Sequence, residues 1–292
     1  MIDMHRGRKN LRTVGRCIYC GKTKEQTPEN KLTEEHVIPY SLDADVYLED
    51  ASCLSCAEIT SGIELHVART ILGDHRIHQN VQTRHPKRRP KTLKTRIRQQ
   101  GIERTEELLI KDHPYFLAMP VWEQPGILRG AKKSREFDGL SAHLYYHVPD
   151  NIRETLGLKD GDIAEIKPDT RGDAAQFGRA IAKIAYCNVI GKWGLEAYDF
   201  LDMPKLILGE YPFVSHYVGS FLGLPPPPDR RGARHSIEMT AMWAGSPIVR
   251  RFMIVQVRLF IGDGVPEHGM PIYTAVVGVP RSPNDEHDSL SV

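Results

Sequence analysis

Hydrophobic positions recur at helical spacing most clearly over residues 174–191, where Phe177, Ile181, Ile184 and Ala185 form an apolar stripe suited to a core. Four shorter apolar runs around it, at 143–148, 163–167, 252–261 and 271–279, have the length and content of strands. The third is apolar at almost every position, which predicts a strand covered on both faces. The turn Lys159-Asp160-Gly161-Asp162 and the proline run 225–228 separate elements, and the polar tail beyond Pro280 is expected to fray. These elements predict a mixed α+β domain over 102–292. Upstream the pattern changes twice. Residues 1–72 hold four of the five cysteines and a short helix pattern, and 73–101 read as a basic linker interrupted by Pro86 and Pro90. No internal repeat of solenoid type is present.

Composition changes this picture little, because 40% hydrophobic and 26% charged residues are ordinary globular usage. A length of 292 residues suits two domains of roughly 150 residues each. The start of the chain, residues 1–16, is polar and basic without a signal-type apolar core, and no stretch approaches roughly 20 apolar residues. A cytoplasmic protein with reduced thiols and no membrane contact is therefore expected.

Charge changes it more. The net +2 hides an asymmetry: residues 1–50 carry 8 Lys/Arg against 9 Asp/Glu, 51–105 carry 11 against 4, and 106–292 carry 20 against 24. Positive charge is concentrated beside the cysteine region, as a polyanionic ligand would require. Its centre is 84–98, where eight of fifteen residues are Lys or Arg and none is acidic: Arg84, Lys87, Arg88, Arg89, Lys91, Lys94, Arg96 and Arg98. Such a run can neutralise several phosphates. A solvated linker and a nuclear-import signal are the other readings of the same residues. Phosphate contacts of this kind position a nucleic acid without reading its sequence.

Two CxxC pairs, Cys17/Cys20 and Cys53/Cys56, lie 32 residues apart. Two residues between cysteines let both sulfurs face one ion, so the pairs predict a tetrahedral four-cysteine zinc site. Gly21 follows the first pair, where a knuckle needs a residue tolerant of positive φ. Disulfides and a redox CxxC are the alternatives, and both fit a cytoplasmic chain with two matched pairs less well. Cys187, inside the apolar helix, reads as a small buried residue. A closed shell of four thiolates holds a fold together but leaves no position for chemistry.

Chemistry has to come from what lies between and after the pairs. Leu32-Thr33-Glu34-Glu35-His36-Val37-Ile38-Pro39 sets an imidazole beside a carboxylate, and Glu64 follows on the next helix. A general base and a hard cation held by carboxylate oxygens are what phosphodiester hydrolysis needs. CxxC, an acidic residue, His, two aliphatics, Pro and a second CxxC together resemble the HNH endonuclease family over residues 17 to about 70. The resemblance implies a ββα-metal module, a hairpin followed by a helix, stapled by zinc at Cys17, Cys20, Cys53 and Cys56. It also implies His36 as general base and Glu35 as a ligand of a catalytic Mg²⁺ or Mn²⁺. One position departs from that pattern: Ala57 stands directly after the last cysteine, where many such modules carry Asn or His. The missing ligand is then expected at Glu64, which shares a helical face with Thr60, with Glu58 as a poorer choice. His66, His75, His78 and His85 lack such a context and are expected at the surface or facing phosphate.

The sequence therefore leads to a metal-dependent endonuclease acting on nucleic acid, DNA before RNA, in which a homodimer would serve double-strand cleavage. Two alternatives stay open. One is a zinc-dependent nucleic-acid-binding module that has lost its catalytic ion. The other is a nuclease gated by a ligand or partner bound to the C-terminal domain.

Overall fold

The computed structural model describes residues 8–42, 45–83, 85–167, 172–223, 235–244, 249–260 and 270–281. Arg84, the proline run 225–228 and the tail from 282 lie outside the described residues. The chain is of mixed α+β class, as its patterns predict.

The cysteine region opens with β1 (Lys9–Thr13), β2 (Thr33–His36) and β3 (Val46–Ser52), a sheet of order β1-β3-β2. Strand β2 runs antiparallel to β3 and β1 runs parallel to it, so the expected hairpin has an extra strand on its far side. Helix α1 (Leu54–Arg69) follows at once and α2 (Gly73–His78) after a short turn. Helix α1 buries Cys56, Thr60, Ile63 and Val67, a spacing of three and four that turns one face inward.

Residues 73–101 carry structure where a linker was expected. Besides α2 they form β4 (Thr92–Gln99), paired antiparallel with β5 (Ile102–Leu109). Gln100 and Gly101 both have positive φ, the requirement of a tight two-residue hairpin turn. The basic run folds this way because Thr95 and Ile97 alternate with Lys94, Arg96 and Arg98, so a strand can bury the first set and expose the second. Next come β6 (Tyr115–Val121), α3 (Gly126–Arg129), β7 (Ser141–His147), α4 (Ile152–Thr155) and β8 (Ala164–Lys167). Strand β8 joins the free edge of β4, and Ile97, Leu108, Ile152 and Leu156 make a small core of their own.

Helix α5 (Ala174–Trp193) is capped by Asp173, whose carboxylate accepts from the backbone N–H groups of Ala175 and Gln176 at 2.8 and 3.1 Å. After it come β9 (Tyr198–Asp199), α6 (Met203–Leu208), α7 (Val214–Tyr217), β10 (Val218–Leu222), β11 (His235–Ala244), β12 (Arg250–Leu259) and β13 (Pro271–Pro280). The last four form an antiparallel sheet of order β10-β13-β12-β11, with β9 on β13. The apolar helix and the strands at 252–261 and 271–279 thus lie within two residues of their expected bounds, Ile261 being outside the described residues.

One expectation changes. A single apolar stripe was predicted for α5, yet every residue from Ala180 to Gly191 is buried. The helix lies between the cysteine region, through α1 and β1, and the C-terminal sheet, through β10, β12 and β13. A helix covered on both sides needs apolar residues all round. It approaches β1 so closely that a Cβ at Gly191 would stand 2.8 Å from Leu11. The result is one continuous core running from Cys17 and Leu48 through α5 to Val255 and Tyr273.

Candidate functional site

The first CxxC pair sits in a tight knuckle. Cys17 N–H donates to Lys22 at 2.8 Å, Gly21 N–H donates to Cys17 at 2.9 Å, and Gly21 takes φ +77°. The second pair opens α1, with Cys53 at its N-cap and Cys56 in its first turn. Strand β3 carries the chain between the pairs, and Ile18 N–H donates to Ala51 at its end. The four ligand sulfurs all lie within 4.8 Å of one another, and Cys20 and Cys53 are 3.7 Å apart. A tetrahedral ion bonded to sulfur at about 2.3 Å sets ligand edges of about 3.8 Å, so the cluster has the size of a zinc cage. A hydrogen bond from Cys56 pulls Cys17 down and pushes Cys56 up, since two sulfurs this close share a proton. Cys187 stands apart from the cluster. Burial pushes it up to about 12, and its neighbour is the Tyr19 hydroxyl at 3.6 Å.

Glu35 and Glu64 do come together, though around a partner that the sequence did not announce. Lys183 on α5 places its Nζ 2.9 Å from Glu35 Oε1 and 2.6 Å from Glu64 Oε1, and it also donates to the backbone carbonyl of His36. Thr60, one turn before Glu64 on α1, donates to the second oxygen of Glu35 at 3.4 Å. Glu35 and Lys183 are fully interior, with 4% and 1% exposure. Burial opposes charge on Lys183, but Glu35 and Glu64 outweigh it and hold the ammonium above its ordinary range. Burial pushes Glu35 up, against the pull of Lys183, because one ammonium serves two carboxylates. The expected Mg²⁺ or Mn²⁺ does not fit these two residues, since an ammonium already stands between them. Among the described residues the four cysteines form the one group of three or more ligands close enough to share an ion.

His36 faces the other way. Successive strand residues point to opposite faces, and β2 sends Glu35 inward toward α1 and α5 while His36 lies beside Tyr40 and Tyr47. Its Nδ1 is 4.0 Å from Asp45, and its side chain keeps 20% of its surface open. Asp45, just before β3, is a neighbour of His36 that the motif did not single out. Ala57 offers no donor, and Glu58 is exposed on α1.

The basic run is only partly available. Arg98 pairs with Glu103 at 2.6 Å and approaches Glu165 at 3.8 Å, while Arg89 donates to Asn80 and to the Val81 carbonyl. Lys94 lies opposite Glu107 in the β4–β5 register. The acids come from β5 and β8, so the local run of sequence shows none of them. Lys87, Arg88 and Lys91 are exposed at the approach to β4. Lys94, Arg69 and Asp74 line a cleft of about 450 Å³ with Phe116 and Leu140. Two histidines expected at the surface are covered instead, one fully and one in part: His75 is buried 4.4 Å from Phe260, and the half-buried His78 places Nε2 3.1 Å from His113 Nδ1.

No helix is long and apolar enough to cross a membrane among the described residues. Comparison with protein-family models, with curated proteins and with solved structures finds no match for the chain.

Proposed function

We propose that this chain hydrolyses phosphodiester bonds of nucleic acid, DNA in the first instance, with His36 as general base and zinc in the four-cysteine cage. The observation that supports it most is the His36–Asp45 pair, 4.0 Å apart, at the partly open side of the cysteine-closed unit. A neutral imidazole near neutral pH takes the proton of an attacking water. Asp45, 4.0 Å from the ring, favours by its charge the imidazolium that forms. The zinc supplies no chemistry of its own, because four thiolates close its shell. No step of the proposed hydrolysis runs through a cation held by Glu35 and Glu64. Lys87, Arg88 and Lys91 contact backbone phosphate in this reading, in a reducing, cytoplasmic setting where thiolates persist. A homodimer would allow both strands to be cut.

A second reading is favoured by the Lys183 contacts: a zinc-held module that binds nucleic acid without cutting it. Plasmid cleavage by zinc-loaded wild type and His36→Ala, each with Mg²⁺, Mn²⁺ or EDTA, separates the two. Nicking by wild type that vanishes in His36→Ala supports the hydrolase, and the EDTA arm, read only where zinc is confirmed to be retained, reports whether a dication takes part. Salt-sensitive binding without nicking under all three conditions supports the binding module.

A further inference from the structure

We infer that Lys183 is the resident cation of the carboxylate site: its ammonium takes the place between Glu35 and Glu64 that a divalent ion would need, so the two exclude each other. The geometry carries this. A small dication such as Mg²⁺ requires oxygens at about 2.0–2.1 Å on several sides. Here one oxygen of each carboxylate already lies within 2.9 Å of a single nitrogen. That nitrogen cannot swing aside easily. Lys183 projects from the stretch of α5 that is buried on every side, and its own exposure is 1%. A third acceptor, the His36 carbonyl, belongs to the backbone of β2 and fixes the ammonium from the other direction.

The charge count agrees with a cation that is built in. A buried carboxylate at Glu35 beside a half-buried one at Glu64 would be costly without a counter-charge, and an ammonium bonded to both reduces that cost at once. The same bond that balances the carboxylates also anchors the strand carrying His36. Lys183 is thus a positioning residue, linking α5 to the candidate base through one backbone atom.

Binding of Mn²⁺ to the full-length, zinc-saturated protein, followed by electron paramagnetic resonance, tests this without reference to cleavage, so its failure is distinct from failure of the hydrolase reading. Wild type is expected to leave Mn²⁺ free up to millimolar concentration. Lys183→Met is expected to gain one bound Mn²⁺ per chain, lost again when Glu64→Gln is added. The inference is overturned if wild type binds one Mn²⁺ that Glu64→Gln abolishes, or if folded Lys183→Met binds none. Should Lys183→Met fail to fold, Lys183→Gln keeps a donor for the His36 carbonyl while removing the charge. The same two outcomes then decide.

Discussion

The four-cysteine cluster and the Glu35–Lys183–Glu64 cluster share one small unit and are closed in opposite ways. The first draws its ligands from a single local stretch and lacks a cation of its own. Its four sulfurs can all be thiolates only when an ion arrives from solution. The second contains its own cation, supplied by a lysine 119 residues beyond Glu64. A site completed by an ion depends on supply and can be emptied by a chelator. A site completed by a side chain depends on the rest of the fold and is emptied only by mutation.

That contrast can be broken by experiment, and the largest effect belongs to the cysteines. Structural zinc in small units contributes roughly 10–16 kcal/mol of binding free energy at neutral pH, which is folding free energy. Chelation, or Cys53→Ser, is expected to unfold the cysteine unit and, through α5, to lower the thermal midpoint of the whole chain. Circular dichroism and limited proteolysis would report it. An unchanged midpoint in strong chelator would show that the cluster is not held by metal.

The second effect belongs to Lys183. Removing one partner of a buried ion pair costs about 3–5 kcal/mol, because the charge left behind is uncompensated. Lys183→Met should therefore lower stability in urea by that order. Adding Glu35→Gln should recover part of the loss, and simple additivity of the two changes would argue against a shared cluster.

The smallest effect comes from the His78–His113 pair, in which a half-buried imidazole lies against a buried one. Burial, reinforced by His113 and His147, lowers His78 to about 4 from its ordinary 6.5. Between those values the unfolded chain takes up a proton that the folded imidazole refuses. Stability therefore falls as pH drops from about 6.5 through about 4. His78→Phe should flatten that part of a thermal midpoint–pH curve, whereas a curve of unchanged slope would assign the effect to other groups.

What could be read from the sequence follows from how far apart the interacting residues lie. The CxxC pairs, α5, β12 and β13 are local patterns, and a period of two or three to four residues is visible within one element. Lys183 carries a weaker signal, which names a need without naming the partner. A lone lysine in a run that is otherwise almost wholly apolar has to find a carboxylate, because a fully buried ammonium without a partner is rarely tolerated. Which carboxylate it would find depends on packing between segments far apart in sequence. The basic run misled for the same reason. Its counter-charges, Glu103 and Glu165, meet Arg98 only once β4 pairs with β5 and β8. The adjacency of Glu35 and His36 misled differently, since neighbours in a strand are turned away from each other.

The position of α5 between the two halves also sets a timetable for biosynthesis. About a hundred residues of chain separate the end of α1 from the start of α5. At roughly 5–20 residues per second, a ribosome needs several seconds to make them. The cysteine unit, with its four sulfurs and both carboxylates, is thus made before the helix that carries its ammonium. The nascent unit can load zinc early, but Glu35 and Glu64 must stay hydrated until α5 arrives. Maturation is complete only when the helix slides in and water leaves.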